Sequence, residues 1–257
     1  ATTEIYTLPL HDALPIWPAH PQADVLVNAL NAQLTHHGAW DVLNAAFDAV
    51  PDLALVSSFG AESVVLLHLA AMIKRDVPVL FIETEMLFTE TLVYQQEVAE
   101  RLALSNVRII RADDITARDP SGSLHRRDPD ACCALRKIAP LHRALTDHGG
   151  WISGRKRYQS GTRADLAFFE VERSTGRIKV NPLARWSRAD IAEYMDENRL
   201  PRHPLVAQGY PSIGCAPCTS RVAPGEDPRA GRWRNQDKDE CGIHFVDGKP
   251  VRTGAQT

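Results

Sequence analysis

The sequence predicts an α/β fold: a mostly parallel sheet with flanking helices, followed by an extended C-terminal arm. Three observations carry that expectation. Short apolar runs at 53–58, 77–82 and 107–110 alternate with stretches of helical period at 63–74 and 90–102, the pattern of parallel strands joined by right-handed crossovers. The first run ends in a loop of small residues that leads straight into a helix. Beyond residue 199 the periodicity gives way to proline, glycine and charge.

Taken in order, residues 24–50 place Val25, Leu26, Ala29, Leu30 and Leu34, then Trp40, Val42, Leu43, Ala46 and Phe47, at helical spacing, which predicts two lead-in helices broken at Gly38. The strand at 53–58, the loop around Gly60 and the helix from Ser63 form a candidate phosphate cradle, because a loop and a helix N-terminus offer unpaired backbone N–H groups. After residue 111 the pattern loosens until Cys132, and 135–145 reads as a helix that Pro140 bends or divides. Residues 151–154 read as a short strand ending in glycine, at the level where strand C-termini carry ligands. Residues 168–171 and 178–180 are expected to pair as a hairpin, and 187–198 opens on a near capping box, Ser187-Arg188-Ala189-Asp190.

The expected organisation is a nucleotide- and metal-binding α/β body at 24–220 and a mobile arm at 221–257. Residues 1–17 show neither period and resemble a translated sequencing adapter, so they are expected to be an artefact or a disordered arm outside the fold. A length of 257 residues suffices for a substantial core. The formal net charge of −3 argues against a dedicated nucleic-acid binder, although the last third is locally arginine-rich. No apolar run approaches the roughly 18 residues that span a bilayer. Reduced cysteines and the absence of a leader point to the cytoplasm.

Four of the five cysteines fall in two pairs, Cys132-Cys133 and Cys215-Ala216-Pro217-Cys218. Sequence neighbours make strained disulfides, so a metal centre is the simpler expectation. Four thiolates suit a tetrahedral zinc or one cubane iron–sulfur cluster. Ligands at adjacent positions favour the cluster, whose corners two neighbouring sulfurs can reach separately. Cys241 stands apart and is the candidate nucleophile.

Ser58-Phe59-Gly60-Ala61-Glu62-Ser63 resembles the loop of the PP-loop adenine-nucleotide family. Together with Cys132-Cys133-Ala134-Leu135-Arg136-Lys137, Cys215-Ala216-Pro217-Cys218 and Glu240-Cys241-Gly242-Ile243-His244, it makes the chain similar to the assimilatory adenylyl-sulfate (APS) reductases from about residue 25 to about residue 245. The resemblance implies an adenine nucleotide alpha hydrolase-like fold. It also implies reduction of adenylyl sulfate to sulfite and AMP, a [4Fe–4S] cluster on Cys132, Cys133, Cys215 and Cys218, and electrons from thioredoxin or a glutaredoxin-like donor. By the same resemblance Cys241 takes the sulfonyl group as an S-sulfocysteine, and a donor thiol then releases sulfite.

Tuning the thiol is the smaller demand of that chemistry. A thiol of pKa about 8.5 is about 3% ionised at pH 7, and lowering its pKa by two units gains only about 3-fold once reduced nucleophilicity is counted. Bringing a thiolate against an anion and stabilising the leaving phosphate is larger, and fixed cations in a water-poor site meet it. The candidates are Lys137, Arg163, Arg229 and Arg232, with His244 steadying substrate or thiolate; a solvated surface position is the ordinary alternative for each. Ser57, Ser58, Gly60, Glu62, Ser63, Thr84 and Gly154 are expected to line the nucleotide site, against the plain alternative of turn and cap chemistry.

The sequence departs from the family's pattern at three places. Glu83-Thr84-Glu85 stands for the usual Asp-Thr-Gly, which puts a carboxylate near the expected adenylate. Lys156-Arg157-Tyr158 stands for two arginines and an acid, and one residue is missing between Ser160 and Gly161. The competing functions are a reductase of the 3′-phosphorylated substrate (PAPS), a PP-loop enzyme of tRNA thiolation, and a zinc module without catalysis. Cluster-free PAPS relatives lack the cysteine pairs. The tRNA enzymes keep a Lys-Asp pair where this chain has Ala61 and Glu62.

Overall fold

The computed structural model describes residues 21–234, residue 238 and two short strands at Phe245–Val246 and Lys249–Pro250. The suspect residues 1–17 lie outside it. The chain opens with α1 (Pro21–Gln33) and α2 (Ala39–Ala49), separated at Gly38 as expected. The body then runs β1 (Leu53–Ser57), α3 (Ser63–Ile73), β2 (Val79–Ile82), α4 (Thr89–Arg101) and β3 (Val107–Ile110). Short helices α5 (Ile115–Arg118) and α6 (Leu124–Arg127) lead into α7 (Pro129–Cys133) and α8 (Ala139–Ala144). These are followed by β4 (Gly150–Ile152), β5 (Phe169–Val171), β6 (Ile178–Val180) and α9 (Arg188–Glu197).

The six-stranded sheet has the order β3-β2-β1-β4-β6-β5, parallel throughout except for β5, which pairs antiparallel with β6 as the predicted hairpin. The fold is the expected one. Alternation along β1 explains why its sequence reads as one apolar run. Leu53 and Leu55 share one apolar cluster with α2, α3 and α9 on one face, while Ala54 and Val56 join Leu141, Leu145 and Trp151 on the other, so both faces are covered. Strand order reverses at β1, with β2 on one side and β4 on the other, which opens a crevice at their C-terminal ends.

Two details differ from expectation. The cysteine helix begins at Pro129 rather than near 135. Asp128 caps it, accepting a hydrogen bond from the Ala131 N–H at 2.9 Å, with proline at its first position. The chain stays helical through Pro140, and the adjustment is a π turn at Ala134–Ile138 directly after the two cysteines. A widened turn relieves the clash and the missing donor that proline imposes on the preceding turn. Helix α9 has the predicted capping box: the Asp190 N–H donates to Ser187 Oγ at 3.2 Å, and the Ser187 N–H donates to Asp190 at 2.7 Å. Among the described residues no helix is long and apolar enough to cross a membrane.

Candidate functional site

A cavity of about 370 Å³ opens at the β1 and β4 ends. The loop after β1 forms its floor, with Phe59 holding a left-handed backbone (φ 47°) that non-glycine residues rarely adopt. Burial of the Phe59 ring, edge-on to Phe81 at a centroid distance of 5.2 Å, holds it there. The Phe59 N–H donates to Ser57 Oγ at 3.1 Å and the Gly60 N–H to Ser63 Oγ at 2.9 Å. Two of the predicted hydroxyls therefore brace the loop's own backbone while also lining the cavity. A Cβ on Gly60 or Gly154 would meet protein atoms no closer than 3.4 Å and 3.7 Å respectively. Packing within the protein does not require either glycine, and both border the cavity.

The loop after β4 closes one wall. Lys156 is buried, and its ammonium donates to Glu62 at 2.8 Å and to the Gly154 carbonyl at 3.2 Å. The Tyr158 hydroxyl donates to the same carboxylate at 2.9 Å. Burial works to raise the Glu62 pKa, but the Lys156 charge and these hydrogen bonds outweigh it and hold the carboxyl below its ordinary value. The Tyr158 phenol is raised by burial and by Glu62, so it stays a donor. Arg163 is buried at the cavity edge and donates to Gln159. Arg188, at the start of α9, places its guanidinium 5.2 Å from the Tyr158 ring centroid. In the sequence Lys156 and Tyr158 stand out only as departures from the family's pattern; their pairing with Glu62, 94 and 96 residues away, is a tertiary fact.

A second, smaller cavity holds Cys132, Cys133, Cys215 and Cys218 on its wall. The first three thiols are buried and Cys218 is half-buried. Burial, reinforced by the neighbouring thiols, pushes the Cys132 pKa up to about 11. Burial and Cys215 raise Cys218 against the opposing charges of Lys137, Arg232 and Lys238. Thr84 Oγ lies 3.2 Å from Cys215 Sγ. Arg136 donates to the Thr84 carbonyl and to the buried Asp119, both at 2.9 Å, which ties the π turn to the end of β2. Among the described residues, no group of three or more His, Cys, Asp or Glu side chains is spaced to hold a single metal ion.

The structure thus sorts the predicted residues between two places. Ser57, Ser58, Gly60, Glu62, Ser63, Gly154, Arg163, Arg229 and Arg232 border the first cavity. Lys137 borders the second, and Thr84, expected at the nucleotide, sits against Cys215. Glu85, expected near the adenylate, instead approaches Arg136 at 3.8 Å. It adopts φ 59°, a left-handed conformation that explains why glycine is the usual occupant. Residue 221, the expected start of the arm, is no structural break. The Ser220 N–H donates to the Gly231 carbonyl at 2.8 Å, the Trp233 N–H donates to the Cys218 carbonyl at 3.1 Å, and Trp233 is buried. Cys241 and His244 lie outside the described residues.

Residues 52–221 match a family model described as the phosphoadenosine phosphosulfate reductase domain. Over 233 residues, 89% of this chain and 94% of the relative, the sequence is 44% identical to an adenosine 5′-phosphosulfate reductase of Chelativorans sp. (strain BNC1). It is 48% identical over 196 residues, 76% of each chain, to the protein of that name from Mesorhizobium japonicum. Among solved structures, it resembles a phosphoadenylyl-sulfate (PAPS) reductase from Candida auris with a TM-score of 0.67 and 29% identity, covering 76% of this chain and 96% of that one.

Proposed function

Because this chain belongs to the phosphoadenosine phosphosulfate reductase family, we propose that it is an oxidoreductase of sulfate assimilation that reduces adenylyl sulfate to sulfite and AMP. The observation that carries this reading is the juxtaposition of the two cavities. One is lined by Arg163, Arg229 and Arg232 at the β1 and β4 ends, the other by four thiols, and Arg232 acts on both. The relatives named for the unphosphorylated substrate share more identity with this chain than the phosphoadenylyl-sulfate reductase does, 44% against 29%. The latter keeps the 3′-phosphorylated nucleotide as a second reading, and turnover compared on the two nucleotides decides between them.

The reaction needs an anionic nucleotide held beside fixed cations. Backbone of the Gly60 loop receives the nucleotide, and Gly60 and Gly154 leave room for close approach. Arg163, Arg229 and Arg232 offset the charge of the phosphosulfate and stabilise the AMP phosphate as it leaves. The Cys241 thiolate attacks the sulfonyl sulfur; the sulfur–oxygen bond to phosphate breaks, and AMP departs with its electron pair. A dithiol of thioredoxin or a glutaredoxin-like protein then attacks Cys241 and is oxidised to a disulfide as sulfite leaves. His244 steadies the anion. For this exchange the arm carrying Cys241 closes over the nucleotide and then reaches the donor. A reducing cytoplasm suits both partners.

The donor set of the second cavity fits a [4Fe–4S] cluster, since four soft sulfurs from two segments face one buried space beside Arg136 and Lys137. When bound there, the cluster would cross-link α7 to the 215–218 turn and supply an anionic iron–sulfide surface next to Lys137. Thr84 and Arg136 would orient the ligands from behind.

The experiment that tests the reading is an intact mass of anaerobically prepared protein after incubation with adenylyl sulfate and no thiol donor. The expected result is an adduct of one SO₃ group that is absent from Cys241→Ser. Sulfite production by Cys241→Ser would refute it.

A further inference from the structure

Gly214 immediately precedes Cys215, and its φ is not in the left-handed region, so conformational freedom is not why glycine stands there. Room is the reason. A Cβ at 214 would lie 2.3 Å from Arg232 Nη2, 2.5 Å from Cζ and 2.8 Å from Nη1. The guanidinium also lies against the Trp233 ring, with Cζ 4.5 Å from its centroid. Its backbone is fixed by a bridge to Thr219 and by the Arg232 N–H donating to the Arg229 carbonyl at 2.8 Å. Arg232 Nε is buried with no hydrogen-bond partner among the described residues, and the side chain borders the first cavity.

We infer that Gly214 is a positioning residue: its missing side chain is the slot that holds the Arg232 guanidinium between the nucleotide cavity and the cysteine turn. The inference rests on Arg232 serving the anion in the proposed reaction. A methyl at 214 meets the far end of a flexible side chain rather than backbone, so the protein yields by moving the guanidinium, not by unfolding. Restoring an ordinary contact moves it by roughly 1 Å, and a displacement of that size costs roughly 100-fold where geometry is critical. One small residue thus sets the reach of a cation 18 positions later in the chain.

The test compares Gly214→Ala, Arg232→Ala and the double variant in the full chain carrying iron, reading sulfite release from adenylyl sulfate, iron content and thermal midpoint. Gly214→Ala is expected to keep its iron and midpoint and to lose roughly 10- to 100-fold in turnover. The double variant is expected to be no worse than Arg232→Ala alone, because the two changes remove one interaction. Full turnover in Gly214→Ala, losses that multiply, or loss of iron would each overturn the inference. Should the unmodified protein release no sulfite, the reductase reading fails by itself. The slot is then judged by the same cycle in AMP affinity, where additive losses overturn it.

Discussion

The cavity at the β1 and β4 ends and the thiol pocket lie a few residues apart, yet they are built in opposite ways. The first has a floor of backbone, with a left-handed turn at Phe59 and two glycines at which an added Cβ would make only ordinary contacts with protein, below a rim of Arg163, Arg229 and Arg232. The second is walled by side chains, four sulfurs with Thr84, Arg136 and Lys137 behind them. A backbone floor is insensitive to removing side-chain atoms and sensitive to adding them. A side-chain site is the reverse. Arg232 is where the two meet, and its glycine slot has the sensitivity of the first kind inside the machinery of the second.

The largest effect that would sharpen this contrast comes from the thiol pocket. Cys132→Ser is expected to abolish iron retention and lower sulfite production by at least about 100-fold, since even an outer-sphere partner is worth roughly 10- to 100-fold. AMP affinity should change by less than about 3-fold, the hallmark of separately built sites. Iron analysis and calorimetric titration with AMP measure the two halves. Equal loss of iron and AMP binding would break the contrast.

Next comes an added atom on the other side. Gly154→Ala meets only ordinary contacts with protein, at 3.7 Å from Leu66, so the fold should be indifferent to it. The methyl instead enters the cavity and should weaken AMP binding by about 10-fold, at the lower end of the roughly 1–3 kcal/mol that overpacking costs. The thermal midpoint and iron content should not move. AMP affinity equal to that of the unmodified protein would show that the ligand does not approach this backbone.

How much of this could be read in the sequence follows the same division. Buried parallel strands, the loop at 57–63 and the capping box at Ser187 were legible because each rests on local periodicity or on hydrogen bonds spanning three residues. The grouping of the two cysteine pairs was legible, because adjacency disfavours a disulfide within Cys132-Cys133, and the structure brings all four thiols to one cavity wall. What stayed hidden depends on distant partners. Thr84 faces a sulfur 131 positions away, Lys156 is neutralised by Glu62, and Gly214 makes room for Arg232. The start of α7 was legible but missed: Asp128-Pro129 is a cap followed by proline at the first helical position, and the charged run before it masked the signal. Docking of 221–234 was hidden for another reason, since it rests on backbone hydrogen bonds to the cysteine turn and one buried tryptophan, Trp233.

The smallest effect concerns the seam that joins the Gly60 loop to the wall after β4. Tyr158→Phe removes one donor to Glu62 and leaves Lys156 in place. A hydrogen bond to a charged group contributes roughly 1.5–3 kcal/mol when removed. The remaining partner and the partial exposure of the carboxylate reduce this to about 1 kcal/mol here, or a midpoint about 2–4 °C lower in a chain of this size. The sign with pH follows from the lowered Glu62 pKa. The stabilisation is fully present above the unfolded carboxyl value of about 4.5 and is lost as pH falls through the depressed folded value, where both states carry the proton. The difference in midpoint between Tyr158→Phe and the unmodified protein should therefore be widest near pH 7 and shrink below pH about 4.5, as Glu62 becomes neutral and a weaker acceptor. Thermal melts across that range measure it. A difference that stays constant with pH would mean that Tyr158 acts through packing alone, and that Lys156 is the charge partner that joins the two walls.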